Sequence, residues 1–217
     1  MTGRTALVVR GGWAGHHPVE TTDRYVDVLR ARDYQVSVSD TVDSYLDSDA
    51  LRGTDLIVQC WTMGTITREQ LAGLSAAVRA GTGLAGWHGG IIDAFRGEPD
   101  YHAITGGQFV HHPKGFVEYR VRPLPESHPT VAGLADFTVR TEQYYVHVDP
   151  SVRVHAVTEY VDDPDFPGSA GTVLPVTWTR NWGIGRVFVT TLGHHPPDFE
   201  VPQTHEMITR GLMWATR

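Results

Sequence analysis

The chain has 217 residues, 41% apolar and 20% charged, and its 18 Lys+Arg against 25 Asp+Glu give a net charge of −7. One domain over residues 1–217 is expected, with a sizeable buried core. No basic run appears and the longest apolar runs, such as Ala6–Val9 and Leu56–Val58, are strand-sized, so neither nucleic acid nor a membrane is expected as a partner.

In chain order, Thr5 to Val9 reads as a short buried strand, and Gly11-Gly12-Trp13-Ala14-Gly15-His16-His17-Pro18 as a loop of turn formers. A helix follows, capped by Thr21 or Thr22, with Tyr25, Val28 and Leu29 on its inner face. Tyr34 to Val38 alternates as a second strand, and Asp55 to Trp61 reads as a third, more fully buried one. Thr67 and Gln70 have capping-box spacing, with Leu71, Leu74 and Val78 as the apolar stripe behind them and Gly81 as the stop. Gly83 to Trp87 is the fourth strand. Residues 5–90 therefore alternate strand and helix in the manner of a parallel sheet covered on both faces.

Beyond residue 90 the pattern changes. Phe116 to Arg122 alternates strictly, with Val117, Tyr119 and Val121 on one face, as suits a strand with one wet side. Val152 to Val157 is a further strand. Pro175 to Thr179 and Arg186 to Thr191 flank the hairpin turn Asn181-Trp182-Gly183-Ile184-Gly185, and Thr204 to Trp214 closes the chain as a helix. The expected fold is thus a mainly parallel α/β sheet with an antiparallel extension built from the second half.

Histidine is the residue that stands out. Composition alone predicts a His-His-Pro triplet about 0.04 times in such a chain, and there are three: His16-His17-Pro18, His111-His112-Pro113 and His194-His195-Pro196. Paired His before Pro is also ordinary loop chemistry, but the first triplet follows the first strand and the third follows the last one. In an open parallel sheet ligands sit outside the carboxyl ends of the strands, where such loops converge. Gly86-Trp87-His88-Gly89-Gly90 adds the spacing of a nucleophile elbow with His at its centre, which offers a general base, a hydrogen-bond donor or a metal ligand. The lone Cys60, inside an apolar strand, reads as a small buried hydrophobe. It cannot close an internal disulfide, and no signal-peptide pattern opens the chain, so a reducing, cytoplasmic setting is expected.

These segments, together with Gly83-Leu84-Ala85-Gly86-Trp87-His88, Thr141-Glu142-Gln143-Tyr144-Tyr145 and the long block from Pro175 to His194, resemble the ThuA family of trehalose utilisation over nearly the whole chain. The resemblance implies the flavodoxin-like, three-layer fold of class I glutamine amidotransferases and a link to carbohydrate metabolism. It carries the family's recurrent polar positions onto His17, His88, His112, Glu142, Tyr144, Arg180 and His194. Thr141 stands where the family motif has an acidic residue, which leaves Glu142 as the carboxylate there. A glutamine amidotransferase needs Cys at the elbow, where this chain has His88, so thiol-dependent glutaminase activity is not expected.

Two functions of different class follow. One is an enzyme, a hydrolase, lyase or isomerase of a sugar-derived small molecule, with His17, His88, Glu142 and Tyr144 in acid–base roles and Trp13, Trp87, His112, Arg180 and His194 binding substrate. The other is a non-catalytic small-molecule-binding or accessory protein on an amidotransferase scaffold. His88 and Glu142 within hydrogen-bonding reach would favour the first. A divalent ion such as zinc, held by His17, His88 and His194 from separate loops, is one form the pocket can take; a metal-free pocket is the other, and either is compatible with a homo-oligomer.

Overall fold

The computed structural model describes residues 3–125 and 128–217. Nine of its strands form one sheet: β1 (Thr5–Gly12), β2 (Gln35–Ser39), β3 (Leu56–Thr62), β4 (Gly83–Trp87), β6 (Val117–Pro123), β7 (Phe137–Thr141), β9 (Arg153–Glu159), β10 (Val173–Trp182) and β11 (Gly185–Thr190). Their spatial order is β2-β1-β3-β4-β11-β10-β9-β6-β7. From β2 to β11 every pairing is parallel, and from β11 to β7 every pairing is antiparallel. The mixed sheet is the expected one, a parallel half extended by antiparallel strands. β5 (Gly107–His111) and β8 (Tyr145–Val148) form a separate two-stranded ribbon.

Helices cover both faces. α1 (Pro18–Arg30) and α6 (Pro202–Ala215) pack on one face, where Val8, Val58, Ala85 and Phe188 meet Tyr25, Leu29, Ile208 and Leu212. On the other face lie α3 (Arg68–Arg79), α4 (Gly89–Ile92) and α5 (Pro99–Thr105), where Val9, Ile57, Leu84 and Val187 meet Leu74, Val78, Ile91 and Ile104. Adjacent residues in β1, β3 and β4 point into opposite cores, which is why these strands read as unbroken apolar runs. A short helix α2 (Ser48–Arg52) lies in the β2–β3 connection. Among the described residues no helix is long and apolar enough to cross a membrane.

Local chemistry explains most boundaries. Thr67 Oγ1 accepts from Gln70 N and Gln70 Oε1 accepts from Thr67 N, the reciprocal cap read from the sequence. α1 begins earlier than the expected Thr21 or Thr22, because Pro18 suits a first helical position whose N–H would go unused. Those threonines lie inside the helix, donating their hydroxyls to the carbonyls of His17 and Pro18. The short α2, α5, β5, β7 and β8 were not anticipated.

Candidate functional site

Strand direction assembles the site. β11 runs parallel to β4, and the four antiparallel steps out to β7 bring β7 back to the same direction. β1, β4, β7 and β11 therefore all end at one edge of the sheet. One polar side chain follows each: His16 after β1, His88 after β4, Glu142 after β7 and His194 after β11. All four are buried, and each offers one donor atom within 4.8 Å of the others.

His88 occupies the elbow at φ 47°, ψ −144°, between the end of β4 and the start of α4. A Cβ on Gly86 would stand 2.5 Å from the Gln59 carbonyl, and one on Gly90 would stand 2.7 Å from Cys60 Cα, so both flanking glycines are needed for the turn to lie on β3. His88 Nδ1 is 2.7 Å from the Thr191 carbonyl and must donate to it. In a neutral imidazole Nε2 then carries only a lone pair. That atom faces Glu142 Oε2 at 3.2 Å and His194 Nδ1 at 3.2 Å. His194 Nδ1 lies 3.1 Å from the same carboxylate oxygen, and His16 Nε2 lies 3.8 Å from it. His16 Nδ1 meets Thr62 Oγ1 at 2.8 Å, whereas its Nε2 is buried without a hydrogen-bond partner. The Tyr144 ring stacks on His88 at 4.0 Å and closes that side.

Burial, with His16 and His194 adding to it, pushes His88 down to about 3 against the pull of Glu142. Burial likewise lowers His16. Burial alone would raise Glu142, but the imidazoles of His16, His194 and His88 outweigh it and hold the carboxyl well below the usual range. At neutral pH His16 and His88 therefore stand neutral beside an ionised Glu142, the protonation states in which these groups bind a metal.

The spacings of three of the four atoms match a cation shell. A tetrahedral shell with bonds of about 2.0–2.1 Å places neighbouring ligand atoms about 3.3 Å apart; the three separations among His88, Glu142 and His194 are 3.1 to 3.2 Å, whereas His16 stands farther off, 3.8 Å from Glu142, within a set that spans up to 4.8 Å. The outer supports are also of the usual kind, a backbone carbonyl on His88 and a hydroxyl on His16.

The residues singled out in the sequence fall into three groups. His88, Glu142, Tyr144 and His194 meet at this centre, and two more border it. His112, which follows β5, places Nε2 3.7 Å from Glu142 Oε1 and lies 2.7 Å from the Pro113 carbonyl through Nδ1. Trp13 sets its ring edge-on to His16 at 4.7 Å.

The remaining three lie elsewhere. His17 is a correction: it caps α1 in the left-handed region at φ 47°, its side chain 44% exposed and 3.9 Å from Glu20. The 3-10 turn before it sends His16 inward instead, since neighbouring side chains point apart. Trp87 is buried in the α1/α6 core between Tyr25 and Phe199, on the same face of β4 as Ala85. Arg180 lies toward the opposite end of the sheet, because β10 runs against β11; it pairs with Asp149 at 3.5 Å.

Asp198 was not anticipated. Its Oδ2 accepts from the Thr141 hydroxyl and from the His194 backbone N–H, both at 2.7 Å, so one buried carboxylate ties the residue before Glu142 to the loop that carries His194. The signal was its capping-box distance from His195, three residues on.

The profile of the ThuA family, described as trehalose utilisation, matches residues 5–215. The chain belongs to the ThuA family. Among solved structures it is similar to a ThuA-like protein of Bacteroides uniformis, at 16% identity and a TM-score of 0.76 over 98% of this chain and 91% of that one. A ThuA-like protein of Parabacteroides merdae gives 18% identity and 0.76 over 99% and 90%. A β-galactosidase of Bacillus circulans aligns at 13% identity and 0.59, with 99% of this chain covering 30% of the larger enzyme. At these identities the likeness establishes the fold, a flavodoxin-like three-layer α/β sandwich. Among curated proteins nothing matches.

Proposed function

We propose that this ThuA-family chain is a divalent-metal-dependent enzyme acting by acid–base chemistry on a sugar-derived small molecule, with His16, His88, His194 and Glu142 as the metal ligands. One observation carries the proposal. The only proton of a neutral His88 is committed to the Thr191 carbonyl, yet its Nε2 lone pair faces a carboxylate oxygen and a second imidazole nitrogen at 3.2 Å. These three atoms share at most one ring proton, that of His194 Nδ1, and a cation among them would satisfy all three at once. The 3.2 Å approach of His88 to Glu142 also favours the enzyme over the accessory-protein reading.

A divalent cation held by His88, His194 and Glu142, with the more distant His16 beside them, would supply a Lewis acid for a substrate oxygen. The protein's own groups do the rest. Thr62 and the Thr191 carbonyl fix two imidazole rings, Asp198 anchors the His194 loop, and Tyr144 keeps water from one face of His88. His112, half-buried at the mouth, donates Nδ1–H to the Pro113 carbonyl and turns its Nε2 lone pair toward the centre, where it can take a substrate proton. A carbohydrate substrate is supported by the family's description as trehalose utilisation and, more distantly, by the likeness to part of a β-galactosidase.

Elemental analysis of protein purified without a His-tag or chelating column tests the reading. About one equivalent of divalent metal is expected, retained in His17→Ala and lost in His16→Ala and His88→Ala. A substoichiometric content that none of these substitutions changes would overturn it. Turnover of a panel of sugars and keto-sugars, abolished by chelation and restored by added metal, is the expected companion result.

A further inference from the structure

Seven large apolar side chains are exposed among the described residues, and only two of them are aromatic, Trp13 (48%) and Phe116 (38%). Both rest on rings of the candidate centre. Trp13 meets His16 edge-on at 4.7 Å, and Phe116 meets His194 edge-on at 5.0 Å while stacking on His195 at 4.7 Å. His16 and His194 are themselves 4.8 Å apart, so the two aromatics stand on neighbouring donor imidazoles.

Each ring is seated. A Cβ at Gly15 would collide with the six-membered ring of Trp13, so the indole lies down on bare backbone that only glycine provides. Phe116 is backed by His195, whose ring Nδ1 lies 3.1 Å from Asp198 Oδ1. Exposed aromatic area has a cost in water, and two such rings fixed beside a buried polar cluster form a surface meant to be covered.

The chemistry around them selects what covers it. The floor is polar, with Glu142 and the imidazoles of His16, His88, His194 and His112. Cationic side chains near the mouth are already engaged: Lys114, in the loop carrying Phe116, pairs with Asp165 at 2.7 Å, and Arg96 holds Asp93 through two contacts. Among the described residues a phosphate would find no unpaired Lys or Arg there, and it would meet the Glu142 carboxylate. A sugar ring, apolar on its C–H face and polar at its edge, matches both surfaces.

We propose that Trp13 and Phe116 form a platform for the C–H face of a neutral, unphosphorylated sugar ring, whose oxygen-bearing edge turns toward His16, His88, His194 and Glu142. The orientation rests on reading that cluster as the reactive centre; the platform itself rests on the aromatic pair. Zinc-loaded full-length protein is titrated with trehalose, methyl α-glucopyranoside and glucose 6-phosphate, by calorimetry and by saturation transfer to the sugar C–H protons, with metal content and circular dichroism recorded for each sample. The two neutral sugars are expected to bind and to receive saturation on C–H protons. Trp13→Leu and Phe116→Leu should each weaken them by roughly tenfold, Trp13→Phe should keep most of the affinity, and metal content should stay constant.

Absence of neutral-sugar binding, equal or tighter binding of glucose 6-phosphate, or unchanged affinity in both leucine variants would overturn the platform. The metal reading fails separately. Protein that takes up no zinc yet binds sugar through Trp13 and Phe116 sinks the metal and leaves the platform standing, whereas zinc held without any sugar binding does the reverse.

Discussion

The two ends of the central sheet share the same strands and settle their polar groups in opposite ways. At the amino end donors meet acceptors: Arg180 faces Asp149, and the Trp182 indole N–H donates to Ser75 Oγ at 2.9 Å. At the carboxyl end the lone pair of His88 Nε2 is aimed at Glu142 Oε2 and His194 Nδ1, three atoms with at most one ring proton among them. The first arrangement pairs donors with acceptors inside the protein, with Arg180 Nε left buried and without a partner. The second is the arrangement that the proposed cation would complete, and that, rather than the number of histidines, marks the candidate functional end.

The largest expected contrast is between one substitution at each end. Glu142→Gln removes the charge on which three imidazoles converge, and metal affinity should fall by more than about 100-fold, beyond the 10–100-fold typical of outer-shell partners. Arg180→Ala should leave metal content unchanged and cost about 1 kcal/mol of stability, as for a partly buried, long ion pair. Elemental analysis and thermal denaturation of the two variants check this. Equal metal loss in both would erase the distinction between the two ends.

Asp198 sharpens the contrast from outside the donor set. Asp198→Asn keeps the size but weakens a carboxylate that accepts from Thr141 and from the His194 backbone. Metal affinity should drop 10–100-fold, and Thr141→Val, which removes one of the two bonds, should fall between it and the unmodified protein. Competition titration against a chelating dye gives both numbers. Unchanged affinity in Asp198→Asn would mean that His194 is positioned by its own loop.

The elbow predicts an effect on stability. Gly86→Ala would press a methyl against the Gln59 carbonyl and Ile91 Cβ, neither of which can move without shifting β3 or α4. A loss of about 2 kcal/mol, or roughly 4–8 °C in Tm, is expected. A Cβ at Gly97 meets nothing within 4 Å, so Gly97→Ala should be close to neutral.

How much of this was legible in the sequence depends on what each inference required. The parallel half and its helices follow from local patterns, namely apolar runs for strands covered on both faces and the Thr67/Gln70 cap for α3. The elbow followed from Gly86 and Gly90 around His88. The doublet His16-His17 could not be resolved in this way, because which ring turns inward depends on a 3-10 turn and one left-handed residue, neither of them encoded in the spacing. Trp87 was open to a better reading, since period-2 alternation puts it on the core-facing side with Ala85. Arg180 was not, because its end of the sheet depends on the direction of β10, a long-range property. Glu142 came only from the resemblance, as nothing local says that four antiparallel steps return β7 to the direction of β4.

Cys60 gives the smallest expected effect and bears on whether a thiol takes part in the chemistry. It lies on β3 under Gly90, with its sulfur 3.8 Å from the Thr21 hydroxyl, and burial pushes the thiol up to about 12. At pH 8 only about one molecule in 10⁴ would then carry the thiolate, which is the reactive form. A disulfide reagent such as dithiobis-nitrobenzoate should leave the native protein unmodified at pH 8 and label it fully once unfolded in guanidinium. Cys60→Ala, which removes one buried sulfur, should retain full metal content and lose about 1 kcal/mol of stability. Rapid labelling of the native protein, together with loss of any sugar turnover in Cys60→Ala, would move the chemistry from the His88 elbow to a thiol. Inert Cys60 with full metal content leaves the elbow imidazole of His88 as the reactive candidate at this edge of the sheet.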